Sequence, residues 1–235
     1  LDFNNQIHGA INIFGLQFLI TDTIVSTWII GGVLVVFALI VRIKSRKFTE
    51  VPKGFQNVVE MLVEAFENYL HTTAGGKLMF LGNWFFTLFV FILLANISGM
   101  FGLRPPTADW SMTVALAIVT FLLIQIIGLK FRGGAYLADM IKPYYLSWLF
   151  LPINLIGEIA RPISLSFRLF GNILAGTVMM TLIYSLMPWF FQIGFPAFMH
   201  GYFDLFAGVL QTYIFVTLSL SFIKGAAALD ESPTG

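Results

Sequence analysis

The chain has 235 residues, of which 58% are hydrophobic and only 11% charged, with a net charge of +1 and a mean hydropathy of +0.87. A soluble domain carries about 25% charged residues, so this composition points to an integral membrane protein, and the scattered Lys and Arg form no polybasic arm for nucleic acid. The absence of cysteine excludes disulfides and thiolate metal sites, and His8, His71 and His200 lie too far apart for a recognisable ligand motif.

The chain opens at Leu1 without a methionine, which is compatible with processing or truncation. No basic n-region precedes the first apolar run, and a basic stop follows it, so that run is expected to be a retained span rather than a signal peptide. About 20 apolar residues cross a bilayer at 1.5 Å each. Five stretches qualify: 23–41, 84–103, 111–129, 144–187 and 199–223. Between the first two, segment 53–74 repeats Phe55, Val58, Val59, Leu62, Val63, Phe66 and Leu70 at helical spacing against Glu60, Glu64 and Glu67. That pattern predicts an amphipathic helix lying on the membrane surface. The expectation is a single all-α membrane domain over 1–235: five embedded elements and one surface helix.

Arg42, Lys44, Arg46, Lys47, Lys53, Lys77, Lys130, Arg132, Lys142 and Lys224 fall on one side of these spans, whereas the opposite loops hold only Arg104. The excess of Lys and Arg marks the inner side, so the amino terminus is expected outside and the carboxyl terminus inside. Pro105, Pro106 and Asp109 make an outer turn, with Asp109 the natural cap of the next helix; Gly133 and Gly134 make an inner turn.

The fourth stretch is too long to stand upright. Forty-four residues of continuous helix would reach about 66 Å, twice the hydrocarbon thickness, so it should run steeply tilted and form a long hairpin with the fifth span. Pro152 and Pro162 are where it would bend most cheaply.

Arg168 lies deep within that stretch. A guanidinium at mid-bilayer depth costs roughly 3 kcal/mol on insertion scales and does not deprotonate, and no acid lies three or four residues away to answer it. Its partner must come from another helix or another chain. Ser164, Asn172 and Ala175 fall near the same stripe, and the small residues Gly171, Ala175 and Gly176 allow a neighbouring helix to approach. Glu158 and Arg161, three apart toward the inner end, are spaced to pair, and Glu158 near an inner vestibule would also attract cations. On the fifth span Asp204, Gly208 and Gln211 share a face. Asp204 near the outer end would offer a carboxylate to an arriving cation, with His200 beside the same mouth, while Gln211 is deep enough to hydrogen-bond Arg168. Thr177 is either an ion ligand or, more commonly, a hydroxyl bonded to its own helix backbone. The Trp residues, including Trp84, Trp110, Trp148 and Trp189, sit near span ends as an interfacial belt.

Three segments carry a family resemblance: PISLSFRLFGNILAG over 162–176, LQTYIF over 210–215 and PPTADWSMTVALA over 105–117. Together they closely resemble subunit a of F-type ATP synthases. The resemblance implies that Arg168 faces a rotating ring of c-subunits, divides two offset half-channels, and meets the ring's ion-binding carboxylate, with Asn172 and Gln211 as polar companions. Where many proton-translocating members carry a carboxylate directly after the AG, this chain has Thr177; where some have His seven residues before the glutamine, it has Asp204. AGTVMM over 175–180 and YFDLFAG over 202–208 are similar to sodium-translocating members, so the resemblance leaves H+ or Na+ as the ion. It further implies a peripheral stalk of b subunits, the remainder of the synthase and the lipid bilayer as partners, and a bacterial plasma membrane as location. The chain shows no phosphate-binding GxxxxGK[ST] loop, no convergent catalytic constellation of its own and no bound cofactor is expected. A self-contained secondary transporter is the alternative, though internal repeats and paired intramembrane carboxylates are not evident in the sequence.

Overall fold

The computed structural model describes residues 7–13, 16–139, 141, 147–186, 188 and 194–228. Lys142, Trp189 and the outermost residues of the 144–187 stretch lie outside these. An antiparallel hairpin of β1 (Ile7–Ile13) and β2 (Leu16–Thr21) comes first, with Ile11 opposite Phe18 and Ile13 opposite Leu16. No element was expected here from the sequence, so the all-α description holds for the membrane body and not for this hairpin. Its short runs fall well below spanning length, and their β-branched residues favour strand.

Helix α1 (Asp22–Ser45) follows directly. Asp22 occupies its first turn and Arg42 and Lys44 its last, each matching the sign of the helix dipole at that end. Most of its apolar surface is uncovered, including Val33, Val35, Val36 and Ile43. In water that would be untenable, whereas in hydrocarbon it is the expected state of a span. Helix α2 (Phe55–Ala74) is the predicted amphipathic element. Val58, Met61, Leu62 and Val63 are exposed while Phe66, Leu70 and Ala74 are buried, so one end docks on the protein and the rest leaves an apolar stripe uncovered. The Tyr69 hydroxyl lies 2.7 Å from that of Thr217, fixing the docked end to the last helix.

A 3₁₀ segment (Gly76–Leu81), α3 (Gly82–Ile97) and a second 3₁₀ segment (Ser98–Phe101) run on as one apolar unit of 26 residues. It begins eight residues before the predicted span, because Lys77 and the flanking glycines interrupt the apolar pattern without interrupting the backbone. Helix α4 (Trp110–Arg132) starts where the Asp109 carboxylate accepts from the Ser111 N–H at 3.0 Å, the cap expected from the sequence. It stops at Gly133, whose φ of 56° no β-branched residue would accept readily. A short helix, α5 (Gly134–Asp139), folds back under it, joined by an ion pair between Arg132 and Asp139.

Helix α6 (Ser147–Leu186) is one element of 40 residues with Pro152 and Pro162 inside it. At 1.5 Å per residue it reaches about 60 Å, so only an oblique course keeps it within a bilayer. Leu165, Leu169, Ile173, Gly176 and Met180 form its buried stripe. It packs chiefly on α4 and also on the last helix, so the expected hairpin has α4 as a third member. Helix α7 (Phe195–His200), a π-helical turn (Gly201–Phe206) and α8 (Ala207–Ala226) form the last span. Among the described residues, five helical units are thus long and apolar enough to cross a membrane. The core joins α2, α3, α4, α6 and α8 through Leu70, Phe85, Ile124, Leu169, Phe215 and Leu220.

Two ends of the bundle are defined by contacts. Thr23 donates to Asp109 at 3.3 Å, and Gly99 abuts Asp204, which brings the starts of α1, α4 and the π turn to one end. At the other end Arg132, Asp139, Glu158, Arg161 and Gly225 line one recess. These are the ends that charge distribution predicts to be outer and inner.

Candidate functional site

Arg168 sits on the exposed side of α6 with Ser164 and Ala175, while Leu165, Leu169 and Ile173 bury the opposite side. Among the described residues, no carboxylate forms an ion pair with it. A Cβ built on Gly171, one turn further along, would meet nothing within 4 Å, so this face is bare and small where a neighbouring helix would lie. Gly176 points the other way, against Phe203 at 3.5 Å, and its smallness serves packing within this chain.

The stripe predicted to hold Ser164, Arg168, Asn172 and Ala175 is only partly one face. Four residues advance a helix by 400°, so each i+4 step drifts about 40°. That drift turns Asn172 inward, half-buried, where it lines a cavity of about 260 Å³ at the first end of the bundle. Asp22, Arg104, Thr177, His200 and Asp204 share its wall. His200 Nδ1 and Asp204 Oδ2 are 2.7 Å apart, an i,i+4 pair, with the Tyr184 hydroxyl 3.5 Å from His200 Nε2. The Thr177 hydroxyl donates to the Ile173 carbonyl at 2.9 Å, the backbone-bonded arrangement, and the residue forms part of the cavity wall. Asp204 occupies the π-helical turn, where the extra residue re-aims side chains relative to a regular helix.

A second cavity, of about 550 Å³, opens at the other end and is lined by Arg132, Tyr136, Asp139, Asn154, Glu158 and Arg161. Glu158 is held from two directions: Arg161 Nη1 lies 2.8 Å from its Oε1, and Gln125 Nε2 donates to its Oε2 at 3.0 Å. The Glu158 and Arg161 pair is therefore as the spacing predicts, with Gln125 of α4 as an unforeseen third partner. Along α6, Arg168 stands about 15 Å from Glu158 and about 14 Å from Thr177. Its position in the helix falls between residues that line the two recesses.

Gln211 does not reach Arg168 by any hydrogen bond among the described residues; it is buried on α8 and its Nε2 has no partner. Asn172 Nδ2 is likewise buried and unpartnered. Amide groups shut away from partners at a loss of about 1–3 kcal/mol each are uncommon, and of the two Asn172 lines the cavity that bears Asp204. Asp109 caps α4, as its place in the turn leads one to expect.

The sequence reading passed over one polar centre. Asn96 is fully buried, donates from Nδ2 to the Gly208 carbonyl at 3.1 Å and to Thr212 Oγ1 at 3.2 Å, and accepts from Thr107 at 2.9 Å. It thereby locks α8, and with it the turn bearing Asp204, to α3. A lone Asn in the apolar run 84–103 was the available signal, since an unpaired amide in hydrocarbon must find partners.

The arrangement places two polar recesses at opposite ends of the bundle, one bearing Asp204 and the other Glu158.

The family described as ATP synthase A chain matches residues 24–224. The chain is similar to ATP synthase subunit a 2 of Acaryochloris marina, with 33% identity covering 91% of this chain and 88% of the relative. It is similar to ATP synthase subunit a of Trichlorobacter lovleyi, with 34% identity over 87% and 86%. ATP synthase subunit a, sodium ion specific, of Propionigenium modestum is 33% identical over 96% of this chain and 80% of that protein.

Proposed function

The chain belongs to the ATP synthase A chain family, and on that premise we propose that it conducts ions as the membrane stator of a rotary F-type ATP synthase, through two half-channels that meet only by way of a partner ring. One observation carries the reading: Arg168 stands bare on α6 between a cavity bearing Asp204 and a cavity bearing Glu158. Cations arrive from outside past His200, Asp204 and Thr177, with Asn172 and Gln211 bordering the passage toward the ring. They bind a carboxylate on the facing c-subunit, travel with it through lipid, and leave inside past Glu158. Ser164 and Ala175 flank Arg168 on the face that the ring covers.

Arg168 acts as the divider. Its permanent charge holds the arriving ring carboxylate ionised, which expels the bound cation, and repels any cation attempting the direct route. Assembly with the c-ring, the b subunits of the peripheral stalk and the catalytic sector supplies the phosphoryl chemistry. The membrane is a bacterial plasma membrane, with the amino terminus outside and the Lys-rich and Arg-rich end inside.

The test is reconstitution. A complex assembled without this chain should hydrolyse ATP and pump nothing, adding the chain should restore pumping, and the chain alone in vesicles should pass no ions. Flux from the isolated chain would instead favour a self-contained transporter. The cargo is H+ or Na+, and the sodium-specific relative makes Na+ worth direct measurement: stimulation of ATP hydrolysis by Na+ with pumping insensitive to a protonophore identifies sodium.

Asp204→Asn keeps size and hydrogen bonding near His200 but removes the negative charge from the outer cavity. Local concentration of a cation by a charged recess is worth about tenfold or more in rate. ATP synthesis at low outer ion concentration should fall about tenfold, and raising that concentration should recover much of it. A loss that no ion concentration relieves would argue against an attracting role.

A further inference from the structure

Helix α2 uses only half of its apolar stripe inside this chain. Phe55, Val58, Leu62, Phe66 and Leu70 share one face by their helical spacing, yet Phe66 and Leu70 are buried in the core whereas Phe55, Val58 and Leu62 are exposed. The uncovered half begins beside the end of α1. The Phe37 ring of α1 stands edge-on to that of Phe55 with centres 6.5 Å apart, and Lys44 Nζ lies 4.6 Å from the centre of the Phe55 ring. The connection between the two helices is fastened down. Buried Gln56 accepts from the Thr49 N–H at 3.1 Å and donates to the Thr49 carbonyl at 2.7 Å and to Glu60 Oε1 at 2.8 Å, which ties the loop to the first turn of α2.

At this corner Arg42, Lys44, Arg46 and Lys47 are all exposed, and among the described residues none of them is in an ion pair. Glu50 is the one acid between Arg42 and Lys53. Unanswered positive charge beside uncovered apolar side chains is complementary to both ends of an anionic amphiphile. The depth fits as well: α1 carries no charge from Thr23 to Val41, so these cations stand where a span leaves hydrocarbon and headgroups begin. We propose that the corner between α1 and α2 is a binding site for an anionic phospholipid, its headgroup held by Lys44, Arg46 and Lys47 and an acyl chain laid along Phe55, Val58 and Leu62. The site goes beyond ion conduction and does not depend on it.

The test uses the chain purified in neutral detergent, with native mass spectrometry counting the lipid retained across titrations with dioleoyl phosphatidylglycerol and dioleoyl phosphatidylcholine. Phosphatidylglycerol should bind more tightly. Each basic residue near an anionic headgroup is worth about fivefold, so Arg46→Gln combined with Lys47→Gln should weaken phosphatidylglycerol about 25-fold and leave phosphatidylcholine unchanged. Glu50→Gln removes the opposing charge and should tighten phosphatidylglycerol about fivefold, a gain that damage to the fold does not produce. Leu62→Ser should weaken both lipids about threefold, because the acyl chain is common to them. The assembled synthase should show the same dependence on Arg46 and Lys47. Equal binding of the two lipids, or indifference to Arg46→Gln with Lys47→Gln, overturns the proposal. Displacement of phosphatidylglycerol by millimolar inorganic phosphate also overturns it, since the site would then take a free anion. Retention by the assembled synthase that ignores Arg46 and Lys47 overturns it too, because another subunit would then cover this corner.

Discussion

Replacing Arg168 with Ala is expected to abolish both ATP synthesis and ATP-driven ion pumping while the chain still inserts and assembles in normal amounts. Insertion should not suffer, since removing a guanidinium from the middle of α6 relieves roughly 3 kcal/mol of transfer cost. The side chain also makes no ion pair among the described residues whose loss would loosen the bundle. Function should suffer entirely. Each elementary charge moving down 100 mV releases about 2.3 kcal/mol, and several must be combined for each ATP, so any path that lets a cation pass between the recesses without turning the ring dissipates the drive. Without the fixed cation, the ring carboxylate can pass the stator still loaded, and water can join the two cavities across about 30 Å of helix. Arg168→Lys is the sharper variant. An ammonium in low dielectric can shed its proton and fit a single carboxylate less well than a planar fork does, so coupling should be strongly reduced even though the formal charge is kept. Pumping in inverted vesicles and passive leak after removal of the catalytic sector measure both effects; an Arg168→Ala synthase that still couples would falsify the role given to this residue.

Much of this arrangement is legible in the sequence because hydrocarbon leaves few alternatives. Spans follow from run length, and the surface helix follows from Glu60, Glu64 and Glu67 opposing an apolar stripe, since both are decided by the solvent rather than by neighbours. Arg168 is legible for the same reason: a charge that cannot be neutralised stands out against 40 residues of apolar helix. Features that depend on which helices meet are not. The drift of Asn172 off the Arg168 stripe into the outer cavity depends on where α6 meets the π turn, and the sequence offers no register for that contact. The π turn itself, Gln125 reaching Glu158 from α4, and Tyr136 filling the space over Gly128 are all products of tertiary placement. The hairpin at Ile7–Thr21 gives no signal at spanning length, because its strands are only seven and six residues long.

The second large effect is expected at a residue that touches no ion. Asn96→Ala should lower the thermal stability of the detergent-solubilised chain and impair ATP synthesis through the outer cavity. Individual hydrogen bonds between membrane helices average only about 0.6 kcal/mol, so one bond would not justify the claim. Asn96 makes three, however, at zero exposure. The truncation is not symmetrical in its consequences. The Gly208 carbonyl keeps the Thr212 hydroxyl at 2.8 Å, but Thr107, also fully buried, loses the acceptor for its hydroxyl, and the deleted amide leaves a void in a fully buried site. A total of about 2 kcal/mol follows, which for a chain of this size is a fall of about 4–8 °C in the unfolding midpoint. Asn96→Asp should be worse than Ala, because a buried carboxylate would face the Gly208 carbonyl with no donor for it there. The functional effect follows from geometry: Gly208 is four residues beyond Asp204, so loosening it frees the turn that aims the carboxylate into the cavity. Slower uptake from the outer side, with inner-side uptake unchanged, is the expected signature in vesicles. An equal loss in both directions would mean that Asn96 holds up the bundle as a whole and has no particular hold on the outer passage.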